Sequence, residues 1–284
     1  MHDERIDFIR SLAIEAGKLT LEGYGKSGQI PKDVQDGYDI ATEYDLRTEE
    51  LVKRRILDEF GDPVLGEEDG LIGDRELAKQ RLWIVDPIDG TFNYQRGIPL
   101  YGVSIAFCEE GVPVSGAIYL PVLEQLFYAS KGRGAFLAEG NLRSPMPMQV
   151  SHEREIPRLV ISMAGRDVYQ LIAGCDGEGI PRRTLRLLMS AVLSLAYIAA
   201  GRMDAYLHTA LNLWDCAAGE IVLREAGGPP ACDFQGVPIF PEYVNRLLER
   251  NEQQGFTFVA ASSPVLFEEP LKRVIRSAGF QVEA

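Results

Sequence analysis

The stretch Trp83-Ile84-Val85-Asp86-Pro87-Ile88-Asp89-Gly90-Thr91 decides how this chain is read. Leu82 and the three apolar residues after it have the length and composition of a buried strand. The strand delivers Asp86 and Asp89 into a turn built from Pro87 and Gly90, and a hydroxyl, Thr91, follows at once. Clustered oxygens at a strand end are what a hard divalent cation such as Mg²⁺ requires. The Gly90 and Thr91 amides beside them can receive a phosphate. The plain alternative is an Asp-Gly turn, because Asp, Pro and Gly are the usual turn residues.

Size and charge bound the rest. At 284 residues the chain suits two packed halves better than one core. A net charge of −13 makes it a poor candidate for sequence-independent DNA binding, which needs clustered Lys and Arg. Part of that negative charge is also what a metal site demands. Cys108, Cys175, Cys216 and Cys232 are widely spaced with no C-x-x-C pair, which argues against thiolate-held zinc and suits reduced cytoplasmic thiols. The start Met-His-Asp-Glu-Arg is too polar for a signal peptide. The most apolar run, Leu187 to Ala200, is too short to cross a bilayer and reads as a buried helix.

Hydrophobic spacing predicts helices over 3–23, from Asp45 as N-cap to Phe60, over about 184–200 with Gly201 after it, from Trp214 to Ala226, and over 265–277. Strands are expected at 63–66, 82–85, 103–109, 112–119, 125–130, 135–137, 159–162, 204–208 and 257–261, with hairpin turns at Gly111 and Lys131–Gly134. Arg143–Met148 reads as a linker. The expected division is an α+β half over 1–146, carrying most candidate ligands, and an α/β half over 147–284.

The opening stretch resembles the first signature of the metal-dependent, lithium-sensitive phosphomonoesterases, and most closely that of the inositol monophosphatases: Trp-x-(Val/Ile)-Asp-Pro-(Ile/Leu)-Asp-Gly-Thr-x-Asn-(Phe/Tyr), here complete through Asn93 and Tyr94. A second signature stands at Trp214-Asp215-Cys-Ala-Ala-Gly219 with Glu225-Ala-Gly-Gly228. Two lesser ones stand at Asp39-Ile-Ala-Thr42-Glu-Tyr-Asp45 and Gly66-Glu67-Glu68. The order and spacing match over essentially the whole chain. The resemblance implies a five-layer αβαβα sandwich, a homodimer, and a Mg²⁺-dependent phosphatase with its site between the halves.

By that resemblance Glu67, Asp86, Asp89 and Asp215, with the Ile88 carbonyl, form the metal ligands for two or three Mg²⁺ ions. Four carboxylates at ~5 Å and an effective dielectric of ~20 repel by roughly 3 kcal/mol per pair, about 20 in all, which ordinary fold stability could not absorb. Dications among them cancel that charge. The expected roles follow. A water is activated on the Glu67 side and oriented by the Thr91 hydroxyl, which is in turn held by Asp45. Asp89, Gly90, Thr91, Ala191, His208 and Asp215 face the substrate. Displacement is in line, with no covalent phosphoenzyme. Each residue has a plainer reading: Glu67-Glu68 as a solvated loop, Asp45 and Asp215 as helix caps, Thr42 as structural, Trp83 and Trp214 as packing.

The substrate side departs from the family pattern. His208 stands where an acidic residue usually binds sugar hydroxyls, Met189 replaces a glycine ahead of Ser190-Ala191, and a usual lysine falls on Val34, two residues from Lys32. The expected substrate is a small phosphorylated polyol or sugar, with myo-inositol 1-phosphate first. Fructose 1,6-bisphosphate, histidinol phosphate and a 3′-phosphorylated nucleotide are alternatives, for which Arg166, Arg182, Arg183 and Arg186 are candidate contacts. A regulatory role with RNA or the transcription machinery is the alternative of another class.

Overall fold

The computed structural model of the chain describes residues 4–26, 28, 30–31, 40–140, 144–250 and 255–282; Lys32, Val34, Asp39 and Arg143, which carry readings above, lie outside them. Two short strands, β1 (Ile30–Pro31) and β2 (Ile40–Ala41), pair antiparallel. The large sheet holds β3 (Val64–Gly66), β4 (Gly70–Ile72), β5 (Arg81–Asp89), β6 (Gly102–Glu109), β7 (Val112–Leu120), β8 (Gln125–Ser130), β9 (Ala135–Glu139) and β10 (Met146–Pro147). Their spatial order is β10-β9-β8-β7-β6-β5-β3-β4, with only the β3–β5 pair parallel. The small sheet, in order β12-β11-β13-β14, holds β11 (Ile161–Ala164), β12 (Leu185–Arg186), β13 (Ala205–Leu211) and β14 (Phe256–Ala261). The helices are α1 (Glu4–Gly23), α2 (Glu43–Phe60), α3 (Arg75–Ala78), α4 (Thr91–Gln95), α5 (Val168–Gly177), α6 (Ala191–Ala199), α7 (Leu213–Glu225), α8 (Glu242–Arg250), α9 (Pro264–Leu266) and α10 (Lys272–Ser277).

Strand residues alternate between faces, and the continuous apolar run of β5 is explained by what covers each face. Trp83 and Val85, with Val103, Ile105 and Phe107, pack under Ile9, Leu12, Val52 and Ile56 of α1 and α2. Leu82 and Ile84, with Ala106 and Cys108, pack on the other face against α6 and α7 through Leu195, Ala218, Ile221 and Val222. That second cluster continues to Tyr206, Phe258 and Ala260 of the small sheet. The far face of the small sheet, including Met163, Leu207 and Val259, is closed by Leu171 and Cys175 of α5 and Val274 and Ile275 of α10. The layers therefore run αβαβα.

The middle helix layer is tight. A Cβ added at Gly219 of α7 would lie 2.4 Å from Leu195 Cδ1 on α6, and one at Gly116 of β7 would lie 3.1 Å from the Ala218 Cα. The glycine ending the Trp214–Gly219 signature is thus a packing requirement. All four thiols are free. No helix among the described residues is long and apolar enough to cross a membrane.

Several expectations shift. The second helix begins at Glu43 with Thr42 as N-cap, and Asp45 is the third residue of a capping box. The buried helix starts only at Ala191, because Met189 adopts φ 54° and Ser190 caps the helix that follows. The last helix is broken into α9, a π turn over 267–271 containing Pro270, and α10. Within the expected linker, Met146 and Pro147 pair with Leu137 and Phe136 as an edge strand. Helices α3, α4, α5 and α8 and strands β1, β2, β4 and β12 were not expected.

Replacing Gly219 with Val should force α6 and α7 apart and cost about 1–3 kcal/mol, the usual penalty for overpacking a filled core. Urea unfolding should show a lower midpoint at an unchanged slope.

Candidate active site

Residues three apart on a regular strand face opposite sides of a sheet. On β5 that rule is broken. Asp86 pairs with Ser104 and Asp89 with Gly102, so three steps along β5 meet two along β6. The extra residue is a β-bulge, and it swings both carboxylates to one side. Pro87, which has no N–H to offer a ladder, sits within it. The Ile88 amide turns back to donate to Asp86 Oδ1 at 3.0 Å.

Asp215 reaches the same place from the opposite direction. It is the third residue of α7 and closes a capping box, its Oδ2 accepting the Asn212 N–H at 2.8 Å. Capping and site duty therefore coincide. Asp86, Asp89 and Asp215 each offer an oxygen, and these oxygens lie within 4.8 Å of one another. Glu67 is not part of that trio, but its charge reaches Asp215. It follows directly on β3, the parallel neighbour of β5.

Asp89 is anchored to the start of α6. Its Oδ2 accepts a short hydrogen bond from the Ser190 hydroxyl and a 3.0 Å bond from the Val192 amide. The Ala191 amide, expected to face substrate, also hydrogen-bonds Asp89. Gly90 adopts φ 93°, and a Cβ there would lie 3.0 Å from the Leu100 carbonyl oxygen and 3.2 Å from that of Met189. Only glycine fits. Asn93 staples the same loops together, its Nδ2 donating to the carbonyls of Leu100 at 2.7 Å and Leu188 at 2.9 Å.

The Thr91 hydroxyl lies 3.2 Å from the Ile88 carbonyl and 3.4 Å from Asp45 Oδ1. It has one proton, so it donates to one of these at a time. Asp45 is fully buried, and its other oxygen accepts the Thr42 amide at 2.7 Å and the Thr42 hydroxyl at 2.6 Å. The carboxylate facing Thr91 is thus rigidly oriented.

Burial dominates the electrostatics. It raises the Asp89 carboxyl to about 6, against the lowering effect of the Ser190, Val192 and Ala191 bonds. Asp215 is pushed well above the carboxylate range by burial and then by the charges of Asp89 and Glu67. Raised acids packed edge to edge, all with hard oxygen donors, fit a site for Mg²⁺.

On the substrate side, His208 is half-buried on β13, and burial lowers it to about 4, so it is neutral at pH 7. Its Nδ1 accepts the Ala210 N–H at 3.0 Å, which leaves the proton on Nε2. The ring sits 5.9 Å from that of Tyr206, a residue whose phenol feels the charges of Asp89 and Asp215. Sequence reasoning passed over Tyr206, Ser190's grip on Asp89 and the Asn93 staple. Of these, only Asn93 and Ser190 stood within quoted motifs. Among the arginines considered for a second phosphate, Arg182 is paired with Asp176, and Arg186 donates to the Arg183 and Leu185 carbonyls at 2.9 Å. Arg166 and Arg183 are exposed.

The five-layer sandwich thus brings together an acidic trio that could hold a metal ion and a braced hydroxyl. The sequence profile of the inositol monophosphatase family matches residues 1–262. The chain is 34% identical over 238 residues to the fructose-1,6-bisphosphatase/inositol-1-monophosphatase of Thermotoga maritima, covering 82% of this chain and 86% of that one. It is 33% identical over 242 residues to Nus factor SuhB of Xylella fastidiosa, covering 83% and 84%. The solved structure of a Thermotoga maritima IMPase superposes with a TM-score of 0.81 at 28% identity, covering 98% of this chain and 99% of that one. The chain belongs to the inositol monophosphatase family.

The raised Asp89 pKa has a sign that can be tested in metal-free protein. Folded Asp89 titrates near 6 against an ordinary value of 3.8, so between those values the folded state holds more protons than the unfolded one. Its stabilising contribution is complete below about pH 4 and is lost as pH rises through about 6. In EDTA the Tm should therefore fall between pH 5 and pH 7.5. Added Mg²⁺ should restore it at pH 7.5 and do little at pH 5, where protons compete for the same oxygens. Equal Mg²⁺ shifts at both pH values would contradict this.

Proposed function

We propose that the protein hydrolyses a small phosphate monoester with Mg²⁺, with myo-inositol 1-phosphate as the first substrate to test. The observation that carries this reading is the convergence of Asp86, Asp89 and Asp215 beside the Thr91–Asp45 pair. The metal would be held by those three carboxylates, Glu67 and the Ile88 carbonyl, in two or three positions. Bound there, it supplies a water ionised near neutral pH and offsets the charge of the phosphate and the leaving oxygen.

The chain's own groups do the positioning. With its proton committed to Asp45, the Thr91 hydroxyl offers only lone pairs to a neighbouring water. That water must then donate to Thr91 and present its own lone pair to phosphorus. Asp45, locked by two bonds from Thr42, keeps that arrangement. The Gly90 and Thr91 amides are the candidate donors to phosphate oxygens. On the polyol side, neutral His208 offers its Nε2–H as a donor to a hydroxyl oxygen, where a carboxylate would accept. Inline attack by water needs no acyl-phosphate on Asp86 or Asp89.

Two other readings have specific support. The Thermotoga relative's name includes fructose-1,6-bisphosphatase, and the exposed Arg183 is a candidate for a second phosphate. The Xylella relative is a Nus factor, which supports a transcription-associated role beside or instead of catalysis. The deciding experiment is phosphate release from a panel of inositol 1-phosphate, fructose 1,6-bisphosphate, histidinol phosphate and adenosine 3′,5′-bisphosphate. Inositol 1-phosphate should lead in kcat/KM, and a tenfold preference for a nucleotide would replace it. Asp89→Asn should lower kcat by a hundredfold or more, and Thr91→Ala by about 10²-fold through loss of the oriented water. Lithium should inhibit in a dose curve at fixed Mg²⁺, and sedimentation should report a dimer.

A further inference from the structure

Helix α2 carries three charged residues at helical spacing, Asp45, Glu49 and Lys53, all on its buried side. Asp45 serves Thr91. The other two have no place in the chemistry above, and charges this deep are retained at a cost unless they are paired and hydrogen-bonded. Glu49 is fully buried and Lys53 nearly so, at 4% exposure. The Lys53 ammonium makes a short bond to Glu49 Oε1 and reaches Asp69 Oδ2 at 3.2 Å. The Glu49 carboxylate then receives two backbone donors from outside the helix: the Glu68 N–H at 3.0 Å on Oε2 and the Asp69 N–H at 2.9 Å on Oε1.

These two amides belong to the turn that immediately follows Glu67. On its other side stands Gly66, where an added Cβ would lie 2.5 Å from the Glu49 Cδ. The carboxylate therefore lies flat against Gly66 and grips the next two amides after Glu67, so the backbone on both sides of Glu67 is set by one buried side chain. We propose that Glu49, braced by Lys53, is a positioning residue that fixes Glu67 for metal binding. Through Asp45 and Glu49 a single helix face sets the separation between the Thr91 hydroxyl and the Glu67 carboxylate. This rests on the metal-site reading given under Proposed function.

Mg²⁺ affinity of the purified full chain, by titration calorimetry, and Mn²⁺ affinity, by electron paramagnetic resonance, read the effect without turnover. Glu49→Ala should weaken both by tenfold or more. Glu49→Gln keeps the volume and one acceptor but turns an N–H₂ toward the other amide, and should fall between wild type and alanine. Lys53→Met should resemble Glu49→Gln, because it leaves the carboxylate unbraced. Ile56→Val, one turn on in the same helix, controls for general loosening and should bind metal as wild type does. If Glu49→Ala does not fold, Glu49→Gln decides. Folded Glu49 variants that bind both ions with wild-type affinity would overturn the proposal, as would an Ile56→Val loss equal to theirs. Wild-type protein that binds neither ion would remove the metal-site reading itself, and this inference with it.

Discussion

Three carboxylates that repel one another are held with oxygens within 4.8 Å, and most of the architecture can be understood as what keeps them there. Asp86 and Asp89 arrive on one strand and Asp215 on a helix from the other half of the chain. No local preference would assemble them. The bulge in β5 turns two side chains that should diverge onto a common side. Fixed donors then take up part of the charge: the Ser190 hydroxyl and the first amides of α6 on Asp89, and the Asn212 amide on Asp215. Burial still displaces both acids upward, and on Asp215 the charges of Asp89 and Glu67 add to it.

The surrounding scaffold is apolar and continuous because strain at the site must be absorbed by rigid neighbours. Cores on both faces of the large sheet clamp β5 along its length, from Leu82 to Val85. The polar staples are equally directed. Asn93 ties the loop after β5 to the segment before α6, and the Asp45–Thr42 capping box fixes the first turn of α2 against Thr91. Met189 holds a left-handed backbone without being glycine, a conformation that costs of order 1 kcal/mol or more, and its carbonyl closes over Gly90.

Much of this was legible from residue order. The run Leu82–Val85 is apolar on both faces because two helix layers cover it, and that double burial is what a run without alternation signals. The Asp-x-x-Asp spacing and the Gly-Thr that follows pointed to the site. The bulge did not announce itself, since one extra strand residue leaves no compositional trace. The start of α2 was read three residues late because Asp45 is as good an N-cap type as Thr42. The buried helix was read too long because Leu187–Met189 match its hydrophobicity while their backbone is diverted to serve the site. Helices α5 and α8 escaped because each buries only three residues, Leu171, Gly174 and Cys175 in one and Val244, Leu247 and Leu248 in the other. Of the three buried charges on α2, only Asp45 was singled out from the sequence; Glu49 and Lys53 were not, because nothing in residue order marks their burial.

The paired helices α6 and α7 are walls common to two rooms, roofing one sheet and flooring the other. A chain cut near its middle would leave each fragment with a naked apolar surface that only the missing piece can cover. Such fragments should be obligate complements, recovering order when mixed and aggregating when alone.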